Sequence, residues 1–229
     1  MTRSHSALLL DLDGTLLDTA PDMGGALNRL RAENGLDPLP ASVMRPVVSH
    51  GSARLVSLGF PAATGDEYER LRLRFLDIYS LNLADDTRLF PGAETLLTEI
   101  ERLGLPWGIV TNKPGWLTDP LLAALDLGRR AACVVSGDTL PERKPHPLPL
   151  LHAARVIGIE PGRCVYAGDA ERDIQAGRAA GMTTVVAAYG YISAEDDPRS
   201  WQPAGMVTEP LQLLEWMDAT LAHAVGHLQ

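Results

Sequence analysis

Positive charge is scarce in this sequence. Its 20 lysine and arginine residues face 29 aspartate and glutamate residues, so the formal net charge is −9, and there is no lysine- or arginine-rich run. A protein that holds nucleic acid neutralises backbone phosphates with clustered positive charge. We therefore expect no nucleic-acid partner.

Long apolar runs and cysteines are scarce as well. The first apolar stretch, residues 7–10, is too short for a signal peptide, and no run approaches the ~20 residues of a membrane-spanning helix. Cys133 and Cys164 each lie in a short apolar run, where two buried thiols are favoured over one disulfide, and their spacing resembles no zinc site. We expect a cytoplasmic protein that makes no membrane contact.

Short apolar runs alternate with amphipathic stretches through most of the chain. Strands are predicted at residues 7–10, 107–110, 132–135, 164–167 and 183–188, with a weaker one near Met206. Helices are predicted at residues 92–103, 117–125, 147–157, 171–180 and 211–224. Continuous apolar strands separated by helices are typical of a parallel sheet that is covered on both faces. The sequence therefore predicts an α/β fold.

One segment interrupts this alternation. From about residue 18 to residue 88 there is no convincing strand, only helical patterns at 22–33, 43–48, 52–58 and 66–83. This pattern predicts an all-helical insert. The chain is thereby divided into an α/β core of residues 1–17 and 89–229 and a helical domain of residues 18–88.

Polar residues directly follow three of the predicted strands. Asp11 and Asp13 follow the first, Thr111 and Asn112 the second, and Asp169 the fourth. In an open parallel sheet, ligands bind outside the carboxyl ends of the strands. Each of these residues taken alone fits a helix cap or a turn. Together they favour one shared site.

Asp11 and Asp13 suit complementary chemical roles. They lie two residues apart at the end of an extended segment, so their side chains are expected to point the same way. Two carboxylates this close repel each other, and one pKa should rise unless a cation intervenes. An ionised aspartate can attack phosphorus directly, and a protonated one can donate to a leaving alkoxide.

Phosphoryl transfer depends mainly on neutralising the negative charge of the phosphate. Asp11 and Asp169, with Asp173 as a further candidate, form an oxygen-rich set that suits a hard cation such as Mg²⁺. Phosphate oxygens also need hydrogen-bond donors. The Thr111 hydroxyl, the Asn112 amide and a lysine can supply them.

The chain has only two lysines, Lys113 and Lys144, among 20 positively charged side chains. In a chain that otherwise uses arginine, a lysine marks a site that needs a compact point charge. Lys144 lies in the segment K-P-H-P, whose prolines stiffen the loop before the next helix. For Lys113, a role in the site and a position in solvent both stay open.

Four segments resemble the signatures of the haloacid dehalogenase superfamily. D-L-D-G-T-L-L-D-T, which begins at Asp11, is similar to the first signature, and T-N-K from Thr111 to the second. K-P-H-P from Lys144 resembles the third, and G-D-A-E-R-D from Gly168 resembles the fourth. Their order and spacing are those of the superfamily, and the resemblance covers the whole chain.

This resemblance implies a Rossmann-like core with a helical cap inserted after the first signature. It implies that Asp11 is the nucleophile, which forms an aspartyl-phosphate, and that Asp13 is the general acid and base. Mg²⁺ would be bound by the Asp11 carboxylate, the Asp13 backbone carbonyl and Asp169. Thr111 and Lys144 would bind phosphate.

Within the superfamily, the segments 89–92, 110–114 and 176–181 are most similar to phosphoglycolate phosphatases. Y-G-Y-I from Tyr189 and Trp201 also resemble phosphatases of N-acetylmuramic acid 6-phosphate. The cap loop S-H-G, residues 49–51, departs from the glycine-flanked loop of phosphoglycolate phosphatases. We expect a small phosphorylated metabolite as substrate, phosphoglycolate first, and a monomer or homodimer.

Several alternatives stay open. A dehalogenase is disfavoured, because that chemistry needs neither the acid Asp13 nor a metal. A phosphomutase would share the core, and a non-catalytic phosphate-binding module would explain a phospho-accepting aspartate but not Asp13. Asp173 could support the metal waters or orient Lys144, and Tyr79 is expected on the surface of a cap helix. Three cap residues could bind a substrate carboxylate or lie on helix surfaces: Arg45, His50 and Arg54.

Overall fold

A six-stranded parallel sheet forms the centre of the computed structural model, which describes residues 6–217. The strands of the chain are β1 (Ala7–Leu10), β2 (Leu17–Asp18), β3 (Arg88–Leu89), β4 (Trp107–Val110), β5 (Cys133–Val135), β6 (Cys164–Gly168), β7 (Thr183–Ala187) and β8 (Gly205–Val207). The sheet order is β5-β4-β1-β6-β7-β8, and all neighbouring strands are parallel. The predicted α/β fold is confirmed.

Helices cover both faces of the sheet and fill the insert. The helices of the insert are α1 (Ala20–Glu33), α2 (Ala41–Met44), α3 (Gly51–Gly59) and α4 (Gly65–Ser80). Those of the core are α5 (Ala93–Arg102), α6 (Gly115–Ala124), α7 (Leu148–Ile157) and α8 (Glu171–Ala179). Short 3-10 helices occupy Arg45–His50, Pro161–Arg163 and Pro210–Trp216. Across residues 6–217, none of the helices combines the length and the apolar character needed to cross a membrane.

Strand β1 lies in the middle of the sheet and is buried on both faces, which explains its unbroken apolar run. Leu8 and Leu10 join a large hydrophobic cluster that also contains Leu27 and Phe75 of the insert. Leu9 points to the opposite face and packs with Leu150 of α7. Because one cluster includes both sheet and insert, hydrophobic burial holds the helical insert on the core.

The predicted helix at residues 211–224 is wrong over its described part. Pro210–Trp216 forms a 3-10 helix, Met217 is extended, and residues 218–224 lie outside the described residues. Trp216 packs against Gly205 of β8, where a Cβ atom would collide with its ring. Over so few residues the apolar spacing does not separate the two kinds of helix.

A two-stranded antiparallel ribbon joins the insert to the core. β2 pairs with β3 through Leu17 opposite Leu89 and Asp18 opposite Arg88. Strands of two residues are too short to show an alternating pattern, so the sequence did not reveal them. The ribbon lies where the insert was predicted to begin and end. The division into a core of residues 1–17 and 89–229 and a cap of residues 18–88 stays a prediction.

Cys133 and Cys164 are both free thiols and both buried, as the sequence predicted. Burial raises the pKa of each thiol to about 11. Such thiols are protonated at neutral pH and therefore unreactive.

Asp22 ties the first helix of the insert to the chain segment that returns to the core. Its buried carboxylate accepts hydrogen bonds from the backbone N–H groups of Asp86 and Thr87, at 3.0 and 2.8 Å, and from the Thr87 hydroxyl at 2.7 Å. These donors are partly or fully buried, so the carboxylate satisfies groups that water reaches poorly.

We expect Asp22→Ala to lower the free energy of unfolding by about 2–4 kcal/mol, because three donors lose their acceptor. Urea unfolding followed by circular dichroism measures the change. The exposed Asp77 of α4 provides a control, and Asp77→Ala should stay within about 0.5 kcal/mol of the parent. Equal effects of the two substitutions would contradict the role given to Asp22.

Candidate active site

Asp11 follows the central strand β1 directly and is almost completely buried. The Lys144 ammonium donates a hydrogen bond to Asp11 Oδ1 at 2.7 Å. The same nitrogen lies 2.7 Å from Asp173 Oδ1 and also donates to the carbonyl oxygen of Val110 at 2.8 Å. Lys144 therefore joins the ends of β1 and β4 and the first turn of α8 through one positive charge.

Asn112 holds the backbone of Lys144. Its amide nitrogen donates to the Lys144 carbonyl at 2.9 Å, and its amide oxygen accepts from the Lys144 N–H at 3.0 Å. Both ends of the Asn112 side chain are thus engaged by protein. The predicted contact between Asn112 and phosphate is untested, and the structure adds a positioning contact that the sequence did not suggest.

Thr111 is buried at the end of β4, beside Asp11 on the neighbouring strand. Its hydroxyl oxygen accepts a hydrogen bond from the backbone N–H of Lys113 at 3.1 Å. The hydroxyl proton is left for another acceptor, which agrees with the predicted contact to phosphate.

Asp173 is fully buried and has partners for both carboxylate oxygens. Oδ1 pairs with Lys144 and accepts from the Tyr166 hydroxyl at 3.2 Å, whereas Oδ2 accepts from the Ala170 N–H at 3.1 Å. Of the two roles considered for Asp173, these contacts favour the orientation of Lys144.

Asp169 differs from its neighbours because one oxygen is unsatisfied. Oδ2 accepts hydrogen bonds from the Ser49 hydroxyl at 2.5 Å and from the Tyr191 N–H at 2.8 Å, but Oδ1 is buried without a hydrogen-bond partner. Gly14, with φ +88°, and Gly190 pack against this carboxylate, and a Cβ atom on either glycine would collide with it. The two glycines thus make room for the Oδ2 side of the Asp169 carboxylate, while Oδ1 is left for a further partner.

Three carboxylates meet at this point with ligand atoms within 4.8 Å of one another: Asp11, Asp169 and Asp173. Burial raises the pKa of Asp169 to about 7, and the charges of Asp11 and Asp173 add to the effect. Burial also raises the pKa of Asp11 to about 6, against the opposing effect of Lys144. A buried acidic group of this kind, with an unsatisfied oxygen, fits a hard divalent cation.

Asp13 forms an ion pair with Lys113. Lys113 Nζ lies 3.0 Å from Asp13 Oδ1 and 3.2 Å from Oδ2, and it donates to the Tyr79 hydroxyl at 2.8 Å. Burial lowers the pKa of Lys113, but Asp13 and Tyr79 raise it by more, so the net shift is upward. Lys113, left undecided by the sequence, is therefore a buried charged group at the site.

The predicted surface position of Tyr79 is wrong. Tyr79 is 1% exposed, stacks on Phe75, and points its hydroxyl at Lys113 in the core. Burial raises the pKa of Tyr79 to about 12, so its hydroxyl is protonated at neutral pH. A tyrosine combines an apolar ring with a polar hydroxyl, so it occurs on the buried and on the exposed face of a helix. The helical pattern of α4 therefore did not show that Tyr79 is buried.

The three candidate cap residues are placed differently. Arg45 Nη1 lies 2.9 Å from both oxygens of Asp18, and its guanidinium lies over the Tyr191 ring at 5.0 Å. It is already paired, so binding a substrate carboxylate would need this pair to open. His50 and Arg54 are exposed and remain candidates for that role.

The contact between Ser49 and Arg172, which joins the insert to the core, was not predicted from the sequence. The Ser49 hydroxyl donates to Asp169, and the Ser49 carbonyl oxygen accepts a hydrogen bond from the Arg172 guanidinium. Burial lowers the pKa of Arg172, but the charges of Asp173, Asp11 and Asp169 raise it by more. Ser49 lies in the S-H-G loop and Arg172 in the G-D-A-E-R-D segment, and both segments stand out in the sequence. Their positions were therefore a signal that these residues lie near the site.

Comparisons with known proteins agree with this geometry. Residues 8–187 match the model of the haloacid dehalogenase-like hydrolases. A phosphoglycolate phosphatase of Xanthomonas campestris pv. campestris is 48% identical over 213 residues, which cover 93% of this chain and 96% of that protein. An N-acetylmuramic acid 6-phosphate phosphatase of Pseudomonas aeruginosa is 41% identical over 216 residues, which cover 94% and 96%.

A solved structure named a predicted phosphoglycolate phosphatase from Haemophilus somnus has a TM-score of 0.82 and 26% identity. The match covers 94% of this chain and 98% of that chain. The likeness therefore includes the helical insert as well as the sheet.

We expect Mg²⁺ to bind more tightly as the pH rises from about 5.5 to about 7.5. The pKa values of Asp11 and Asp169 are raised above 3.8, so without metal these two groups contribute most to stability at low pH, and that contribution is lost as they ionise. A cation displaces their protons and removes this penalty.

The increase in Tm on adding Mg²⁺ measures this effect, and it should be larger at about pH 7.5 than at about pH 5.5. Asp169→Asn should abolish the increase, whereas Asp119→Asn, at an exposed position, should preserve it. An increase in Tm that is independent of pH, or one that survives in Asp169→Asn, would contradict the site.

Proposed function

The chain belongs to the haloacid dehalogenase-like hydrolases and is a phosphoric monoester hydrolase; from that membership we propose that it hydrolyses 2-phosphoglycolate through an aspartyl-phosphate on Asp11, with Mg²⁺ as cofactor. The observation that carries the mechanism is the arrangement around Lys144. One buried ammonium orients Asp11 and Asp173 at 2.7 Å each, next to the unsatisfied oxygen of Asp169.

Asp11 is the proposed nucleophile. Its pKa of about 6 leaves it mostly ionised at neutral pH, and Lys144 fixes the direction of its carboxylate. A carboxylate oxygen forms a bond to phosphorus while the bond from phosphorus to the leaving oxygen breaks. Lys144 and the Thr111 hydroxyl are the proposed donors to the phosphate oxygens.

Asp13 is the proposed acid and base. Its carboxyl group gives a proton to the leaving oxygen and regains one from the water that attacks the aspartyl-phosphate. The side chain of Asp13 is 16% exposed, in contrast to the nearly closed Asp11, so it can face a leaving group above the sheet.

Mg²⁺ would be held by the Asp11 and Asp169 carboxylates and the Asp13 backbone carbonyl, and when bound it would neutralise the charge between phosphate and nucleophile. Lys144 cannot do this alone, because it already balances two carboxylates. The free Oδ1 of Asp169 supports this assignment.

The choice of 2-phosphoglycolate follows relatives named phosphoglycolate phosphatase at 48% and 46% identity, above those named for N-acetylmuramic acid 6-phosphate at 41% and 39%. Other phosphoglycolate phosphatases are 39% and 37% identical, so the name alone does not follow the identity. N-acetylmuramic acid 6-phosphate is the second candidate. Both are acids, and the exposed His50 and Arg54 of the cap offer positive or hydrogen-bonding groups for a carboxylate.

We expect Asp11→Asn to reduce phosphate release by at least about 10³-fold, because an amide does not attack phosphorus. The fold should persist, since removing one of three clustered charges relieves repulsion. Phosphate release from p-nitrophenyl phosphate and Tm measure the two effects, with Asp119→Asn as the matched control. Appreciable activity in Asp11→Asn would overturn the nucleophile assignment.

A side-by-side measurement of kcat/KM tests the substrate. We expect 2-phosphoglycolate to exceed N-acetylmuramic acid 6-phosphate and common sugar phosphates by at least about tenfold, a difference of about 1.4 kcal/mol in transition-state binding. The reverse order would assign the chain to the second candidate while leaving the phosphatase mechanism intact.

A further inference from the structure

A chain of contacts links the cap to the proposed acid. Helix α4 carries Tyr79, the Tyr79 hydroxyl accepts a hydrogen bond from Lys113 Nζ at 2.8 Å, and the same nitrogen pairs with Asp13. We propose that Lys113 and Tyr79 are positioning residues that hold the Asp13 carboxyl group where it can protonate the leaving oxygen. This inference rests on the proposed function, because it requires Asp13 to be the acid.

Lys113 is firmly anchored at both ends. Its backbone N–H donates to the Thr111 hydroxyl at 3.1 Å, and its carbonyl accepts from the Gly137 N–H at 2.8 Å. Its side chain is only 4% exposed and lies over the Tyr79 ring at 4.7 Å. An ammonium held this way has few other positions, so the oxygen atoms that it contacts are held as well.

The contact between Lys113 and Asp13 leaves one Asp13 oxygen available for proton transfer. The ammonium is shared between two oxygens at 3.0 and 3.2 Å, longer than the 2.7 Å contact between Lys144 and Asp11. A protonated carboxyl group keeps one acceptor oxygen. Lys113 can therefore hold one oxygen of Asp13 while the other hands its proton to the leaving group and later takes one from water.

The Tyr79 hydroxyl is a fixed partner of the Lys113 ammonium. Its ring stacks on Phe75 with a centroid distance of 6.2 Å, within the hydrophobic cluster that joins cap and core. Without the hydroxyl, the Lys113 ammonium would lose one of its fixed partners and gain freedom to turn. The Asp13 carboxyl group would then be less often in the position for proton transfer.

Tyr79→Phe tests the inference, because it keeps the ring and removes only the hydroxyl. Values of kcat/KM for a series of substituted phenyl phosphates, from phenyl to p-nitrophenyl phosphate, report the steps up to the release of the phenol. We expect a loss of about tenfold for phenyl phosphate and less than about threefold for p-nitrophenyl phosphate, whose leaving group needs little protonation. Lys113→Met should widen the same difference.

Tyr68→Phe is the matched control. Tyr68 lies on the same helix and its hydroxyl donates to the Ala53 carbonyl at 2.9 Å, within the cap. It should leave the dependence on the leaving group unchanged. A purely structural role for Tyr79 would instead lower kcat/KM equally for every ester, and that result would overturn the inference.

Asp13→Asn separates this inference from the proposed function. If Asp13→Asn is selective for poor leaving groups and Tyr79→Phe is not, the positioning role is wrong and the acid assignment stands. If Asp13→Asn lowers kcat/KM equally for all esters, the acid assignment is wrong and the positioning role falls with it.

Discussion

Three carboxylates buried in one place are the constraint on which the site depends. Asp11, Asp169 and Asp173 lie within reach of a single cation, and burial raises the pKa of Asp11 and Asp169. Such a cluster stays ionised in the folded chain only if positive charge accompanies it. Lys144 provides part of that charge, and Asn112 fixes the Lys144 backbone. The parallel sheet then serves to bring the ends of neighbouring strands to the same point.

The sequence predicted the sheet and the charged centre well, for physical reasons that are specific to this chain. Strand β1 and strand β4 are buried on both faces, so their apolar runs are continuous and easy to delimit. Asp11 and Asp169 closely follow such runs, and Lys144 is one of only two lysines in the chain. Residue type and place along the chain together were enough to predict that they lie close together. Their chemical roles stay predictions.

Contacts between distant parts of the chain could not be predicted from the sequence. Tyr79 and Lys113 are 34 residues apart, and Ser49 and Asp169 are 120 apart. Helix periodicity shows that a residue lies on an apolar face, but not which core residue it meets. Ribbon strands of two residues and the 3-10 helix at Pro210–Trp216 were missed for a simpler reason, since neither is long enough to show a period.

The scarcity of lysine has a consequence for the surface. Both lysines of the chain are buried, Lys113 at 7% and Lys144 at 2% exposure, so every exposed basic side chain is an arginine or a histidine. An amine-directed label therefore finds no lysine side chain to modify in the folded molecule. Labelling of these two lysines would therefore report opening of the site itself, without any engineered probe.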